Sequence, residues 1–168
     1  IVGQMLLTRD DLEDKIRHKN TCNTFNALFK YGVIPIVNEN DTVAVEEIVY
    51  GDNDTLSAVV SVLIEADLLI MLSDTDGLYS GDYRKDKNSR KISYVEAITD
   101  EIESYARGVG SNFGTGGMRT KISAAKLATA HSIAVAIIKG TKPEQIIEII
   151  KGNNEGTIFL PKIEEVTN

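Results

Sequence analysis

Gly114-Thr115-Gly116-Gly117-Met118-Arg119-Thr120-Lys121 opens a segment that continues through helix-forming residues to Ala130 and into the apolar stretch Ile133 to Ile138. A turn, a helix (Thr120 to Ala130) and a buried strand thus follow in immediate succession, and that order decides the fold. Glycines let a backbone approach a bulky anion closely, and the free N–H groups of a helix start attract negative charge. Lys121, in the first turn, adds a mobile positive charge. The spacing is not the Walker pattern, since no Gly-Lys-Ser/Thr closes a four-residue gap, so a P-loop NTPase is not indicated. Glycine turns also serve as plain connectors, and this one needs support from the rest of the chain.

The same alternation extends towards both ends. Leu68 to Leu72 is a second apolar strand, preceded by Leu56, Val59, Val60 and Leu63 on one helical face. Further upstream, Val33-Ile34-Pro35-Ile36-Val37 reads as a strand covered on both faces, although Pro35 favours a sheet edge. Before it, Thr8 and Asp11 resemble a capping box that starts a helix from about Arg9 to Lys30, ended by Gly32. An acidic helix is expected near Asp100 to Ala106, and Pro143 at N1 starts a last helix with Ile146, Ile147, Ile149 and Ile150. Strands alternating with helices predict an α/β domain built on a mostly parallel sheet.

Composition narrows the class. A chain of 168 residues suits one domain that buries roughly 70% of its unfolded surface. The net charge of -7 argues against a nucleic-acid surface. The basic run Arg84, Lys85, Lys87, Arg90 and Lys91 is diluted by Asp82 and Asp86 and reads as a solvated loop. No apolar run approaches the roughly 20 residues that span a bilayer, so no membrane partner is expected. Cys22 stands alone, which excludes an internal disulfide and suits a reducing cytoplasm. Ile1-Val2 reads as an entry in mid-strand, so a segment upstream of Ile1 is expected, and the chain reads as the C-terminal part of a longer domain.

Ligands of open parallel sheets bind beyond the carboxyl ends of the strands. The predicted strands end in Asn38-Glu39-Asn40-Asp41, in Ser73-Asp74-Thr75-Asp76-Gly77 and in Lys139-Gly140-Thr141-Lys142, and Gly51-Asp52-Asn53-Asp54 lies after the first of these. Each cluster singly is an ordinary turn, and Asp54 suits a plain helix N-cap. Together with the glycine-rich turn they gather a phosphate grip, carboxylates and amides at one sheet edge. Phosphoryl transfer needs such a set, because charge on the moving group is offset by lysines and Mg²⁺ while the acceptor is held in line. Oxygen ligands suit Mg²⁺, so carboxylates here are also candidates for direct ligation. Asp74-Thr75-Asp76-Gly77 lacks the Glu of an EF-hand, and calcium is rejected. His18 and His131 have no metal-ligand partners in the sequence and read as structural or exposed.

On these motifs, with Val2-Gly3-Gln4-Met5-Leu6-Leu7-Thr8, Leu56-Ser57-Ala58 and Gly77-Leu78-Tyr79, the chain resembles the amino acid kinase family, and within it the glutamate 5-kinase branch. The resemblance implies a three-layer sandwich around a mostly parallel sheet, with residues 1–168 forming a single partial kinase domain and no PUA domain after Asn168. It implies ATP-dependent phosphorylation of the γ-carboxylate of L-glutamate, the first step of proline synthesis, with ATP and Mg²⁺ required. Asn38, Asp41, Asp52 and Asn53 would hold glutamate. Ser73 and Asp74 would lie at the nucleotide site, and Thr115, Gly116, Gly117, Met118, Arg119, Thr120 and Lys121 would embrace the phosphates. Lys121 would stabilise the migrating phosphoryl group and Asp54 would orient the catalytic lysines. Proline is expected as a feedback inhibitor acting around the loop between Asp41 and Gly51, and a homo-oligomer is expected.

The family pattern also places a catalytic lysine, glycine-rich phosphate contacts and a Ser-Gly segment upstream of Ile1, so the chain alone is expected to be inactive or nearly so. Asp82-Tyr83-Arg84 lacks the proline usual after the aspartate. Two other readings stay open: another amino acid kinase acting on acetylglutamate, aspartate or carbamate, and a non-catalytic module that senses glutamate or proline. A dinucleotide-binding dehydrogenase is disfavoured, because no G-x-G-x-x-G follows an early strand.

Overall fold

A computed structural model describes residues 1–43, 52–82, 84–107 and 117–162. Strand β1 (Val2–Leu7) leads to the one-turn helix α1 (Asp10–Glu13), the long helix α2 (Lys15–Lys30) and strand β2 (Ile34–Glu39). The single helix expected over 9–30 is therefore broken. Asp14 adopts an extended backbone, and its Oδ1 accepts from the N–H groups of Ile16 (3.0 Å) and Arg17 (2.9 Å), restarting the helix as α2. A short carboxylate that competes for backbone donors ends one helix and caps the next. Upstream, Asp11 does reach back to Thr8, accepting from its N–H and its hydroxyl, both at 2.7 Å. Gly32 (φ +67°) follows α2 in the left-handed region that glycine enters without a Cβ penalty.

Strands β1 and β2 pair in parallel, with Val2 opposite Ile34 and Leu7 opposite Glu39. One face of this pair rests on α2, where Gly3 lies against Val33 and Leu28. The other face is open: Val2, Ile34 and Ile36 are each more than half exposed, and Leu6 stands beside them at 41%. Coverage of this strand on both faces was the expectation from its apolar run, and the structure corrects it. Pro35, whose missing N–H weakens any central strand, is tolerated because β2 ladders with β1 alone among the described residues.

The larger sheet has the order β3-β7-β8-β6, built from β3 (Leu68–Ser73), β6 (Tyr94–Val95), β7 (Ala134–Lys139) and β8 (Thr157–Phe159). β3 and β7 are parallel, as are β6 and β8, while β7 and β8 are antiparallel. A small hairpin joins β4 (Leu78–Tyr79) to β5 (Lys91–Ile92) within the segment expected to be a charged loop. Strand β7 is covered on both sides. Val135 and Ile137 enter the main core with α3 (Asn53–Leu63), α4 (Asp100–Arg107) and α5 (Met118–Ala130), whereas Ala136 and Ile138 pack on Ile149 of α6 (Gln145–Ile150). The sheet thus lies between two helical layers, as the three-layer expectation requires. Helix α6 starts two residues after Pro143, with Glu144 at the N-cap, and not at the expected N1 proline.

Small residues bring α3 and α5 together: Ala58, Ala124, Ala125 and Ala128 are all 2% exposed or less. That close packing sets the first turns of both helices side by side.

Candidate active site where α3 and α5 begin

Asp52 occupies the N-cap of α3, where its Oδ1 accepts from the Thr55 N–H at 2.8 Å. The cap role considered for Asp54 therefore belongs to Asp52, and Asp54 is released for another task. From the first turn of α3 its carboxylate meets Lys121 in the first turn of α5, with Nζ 3.0 Å from Oδ1 and 2.9 Å from Oδ2. The Thr120 hydroxyl lies 2.7 Å from the same Oδ2. Both charged side chains are largely buried, Lys121 at 13% and Asp54 at 17% exposure. A buried carboxylate needs such donors, because desolvation would otherwise destabilise its charged form.

On the α5 side, Gly117 is the N-cap, with extended backbone. Its N–H donates to the Thr120 hydroxyl (3.1 Å), and its carbonyl oxygen lies 2.7 Å from the same hydroxyl. The N–H groups of Thr120 and Lys121 bond the Gly117 carbonyl oxygen (3.1 and 3.3 Å), which leaves those of Met118 and Arg119 without an acceptor among the described residues, the arrangement that attracts an anion. Arg119 is exposed here and has no side-chain partner among the described residues. Met118 is 8% exposed and its side chain belongs to the main core, so only its backbone faces the turn. Thr115 and Gly116, named with these residues, lie outside the described residues.

A second group forms at the ends of β3 and β7. Ser73 and Thr75 are both buried, and their hydroxyls lie 3.3 Å apart. Ser73 also donates to Asp74 Oδ1 at 3.2 Å, and its carbonyl accepts from the Gly140 N–H at 2.7 Å. The Lys139 ammonium bonds the Asp74 carbonyl oxygen, and Arg84 approaches the Asp74 carboxylate at 4.0 Å. Nearby, Asp76 accepts from the Tyr79 hydroxyl at 2.9 Å and pairs with Lys91 at 3.5 Å. Partial burial pushes the Asp76 carboxyl up, but the Tyr79 bond and the Lys91 charge outweigh it and hold it below the usual carboxylate range.

The structure therefore gathers Asp54, Thr120 and Lys121 into one joint and groups Ser73 with Asp74 at the neighbouring strand ends. Asn38 and Asp41, at and just beyond the end of β2, are exposed, as is Asn53. No hydrogen bond connects these three to the joint among the described residues. The loop between Asp41 and Gly51, where proline sensitivity was expected, lies mostly outside the described residues. Thr75 and Lys139 stand in the polar clusters expected at the site, but the sequence assigns neither an individual role. Their signal was their place in the polar runs that close β3 and β7. No helix among the described residues is long and apolar enough to cross a membrane.

Residues 2–139 match the family described as "Amino acid kinase family". The chain is 54% identical over 162 residues to a glutamate 5-kinase of Clostridium acetobutylicum and 51% identical over 166 residues to one of Clostridium perfringens, each match covering 96% of this chain. It spans only about three-fifths of those relatives, 61% and 62% of their lengths. Among solved structures, carbamate kinase from Giardia lamblia bound to AMP-PNP is similar at a TM-score of 0.62 with 18% identity, covering 84% of this chain and 44% of that one. At that identity the likeness concerns the fold.

Proposed function

Because the chain belongs to the amino acid kinase family, we propose that it supplies nucleotide and acceptor residues to an ATP-dependent kinase that phosphorylates the γ-carboxylate of L-glutamate. The products are γ-glutamyl phosphate and ADP. The observation that carries this reading is the Asp54–Lys121–Thr120 joint, which sets a buried ammonium beside the anion-attracting start of α5. The glutamate 5-kinase relatives at about half identity support the choice of acceptor.

In the reaction, a γ-carboxylate oxygen attacks the γ-phosphorus, the bond from that phosphorus to the β–γ bridging oxygen breaks, and ADP leaves. The nucleophile is already ionised at neutral pH, so no general base is needed. Lys121 offsets charge on the transferred group, the free N–H groups of α5 hold phosphate oxygens, and Asp54 keeps Lys121 aimed. Asn53, exposed one residue before Asp54, is assigned to the acceptor on the resemblance, together with Asn38, Asp41 and Asp52. Ser73 and Asp74 line the nucleotide side.

Among the described residues no three His, Cys, Asp or Glu side chains converge to hold a metal ion. Asp52 is engaged as a cap and Asp54 by Lys121, so these carboxylates do not furnish a Mg²⁺ site. Mg²⁺ would arrive on the nucleotide phosphates, its common mode of delivery, and would offset their charge there. The resemblance places a second catalytic lysine outside these residues, so the 168-residue chain alone is expected to be inactive or nearly so.

The test is acceptor-dependent ADP release by the natural polypeptide with glutamate, acetylglutamate, aspartate and carbamate, and trapping of the acyl phosphate by hydroxylamine. Glutamate is expected to be preferred. Preference for acetylglutamate, or robust turnover by the isolated chain, would overturn the respective part of the proposal. Proline inhibition and homo-oligomeric assembly belong to the same proposal and are read by adding proline to that assay and by sedimentation.

A further inference from the structure

The Thr120 hydroxyl has one proton and three neighbours. It accepts from the Gly117 N–H at 3.1 Å, and its proton has two candidate acceptors, Asp54 Oδ2 and the Gly117 carbonyl oxygen, both at 2.7 Å. A hydroxyl donates once, so the two acceptors compete. Asp54 has two donors here, Thr120 and Lys121, and at 17% exposure it has little access to solvent.

Resting on the kinase reading above, we infer that Thr120 is a positioning residue whose hydroxyl switches acceptor as Lys121 moves. When the Lys121 ammonium turns to the transferred phosphoryl group, Asp54 loses its strongest donor. The Thr120 proton then settles on Asp54 Oδ2, so the carboxylate keeps a charge-assisted bond in a poorly hydrated place. When Lys121 returns, the proton is free to bond the Gly117 carbonyl and tighten the turn that opens α5. The hydroxyl lowers the cost of releasing Lys121 at the moment of transfer. Its influence therefore falls on the transfer step more than on nucleotide binding.

The experiment compares kcat and KM in the natural polypeptide carrying Thr120→Val, which keeps the shape and removes the hydroxyl, and Thr120→Ser, which restores it. Thr120→Val is expected to lower kcat about 10- to 100-fold while KM for ATP moves less than about threefold, in line with loss of one hydrogen bond to a charged group. Thr120→Ser is expected to keep at least about a third of the parent kcat. Thr120→Ala, which cannot crowd the joint, should repeat the loss if the valine variant folds poorly. Because Thr120 acts through Asp54, adding Thr120→Val to Asp54→Asn should cost little beyond Asp54→Asn alone. A Thr120→Val enzyme within about twofold of the parent kcat, a serine variant as impaired as the valine one, or fully additive losses would each overturn the inference. A parent protein with no acceptor-dependent ADP release overturns the kinase reading and this inference together, whereas an active parent indifferent to Thr120→Val overturns the inference alone.

Discussion

Lys121 Nζ reaches both carboxylate oxygens of Asp54, at 3.0 and 2.9 Å, across 67 positions of sequence. Each residue stands in the first turn of its own helix, so the contact holds two helix starts in a fixed relation. The side of α3 assigned to the acceptor and the side of α5 assigned to phosphate are thereby locked together.

Removal of either partner should separate catalysis from folding. Lys121→Met in the natural polypeptide is expected to lower kcat about 10²–10³-fold, the usual cost of losing a preorganised charge contact. Asp54→Asn should cost activity as well and lower stability by about 1–3 kcal/mol, since Lys121 is left without its charge partner. Steady-state kinetics and urea unfolding read the two effects, and a Lys121→Met enzyme within about fivefold of the parent kcat would contradict the assignment.

Asp52 presents the opposite balance. Asp52→Ala removes the N-cap of α3 and should cost about 1 kcal/mol. Asp52→Asn preserves the cap, so its stability should match the parent. If Asp52 also touches the acceptor, Asp52→Asn will raise KM for glutamate without lowering the melting temperature.

Thr157 stitches the small hairpin to the main sheet. Fully buried, it accepts from the Leu78 N–H at 2.7 Å and donates to the Ile92 carbonyl at 2.6 Å. Gly77 (φ +141°) permits that approach, because a Cβ there would stand 2.6 Å from the Thr157 hydroxyl. Thr157→Val strands both backbone groups and should cost about 1–3 kcal/mol, whereas Thr157→Ser keeps both bonds and should cost about 1 kcal/mol or less. Equal losses in the two variants, measured by urea unfolding, would remove the hydrogen bonds as the cause.

Acid should weaken the protein partly through Asp76. Its carboxyl titrates below its unfolded value of about 3.9, so the charged form favours the folded state. That contribution is present above pH ~4 and is lost as pH falls through the lowered folded value. Asp76→Asn should therefore flatten the acid limb of the stability curve below pH ~4 and leave its shape near neutrality unchanged. An acid limb as steep as the parent's would assign the effect elsewhere.

The apolar runs of β3 and β7 were legible because strands covered on two faces carry little else, and α3 because its leucines and valines repeat at helical spacing. The glycine turn announced the start of α5 through its composition. What stayed hidden depends on distant partners. Asp52 and Asp54 carry the same cap signal; the extended backbone of Asp52 makes it the cap, and the partner of Asp54 lies 67 positions away, beyond the reach of a local pattern. Strands β4, β5, β6 and β8 are two or three residues long, too short for any alternation to register. The open face of β1 and β2 could not be foreseen either, since Ile34 and Ile36 resemble core residues wherever they stand.

The span of chain between Asp54 and Lys121 also has a consequence in time. A ribosome adding about 5–20 residues per second exposes Asp54 several seconds before Lys121. During that interval α3 can form and the β3 segment can collapse upon it, but the carboxylate has no ammonium to meet. The joint is completed only after α5 emerges, and β7, which pairs with β3, follows it within a few residues, so the joint and the main sheet close at nearly the same point of synthesis.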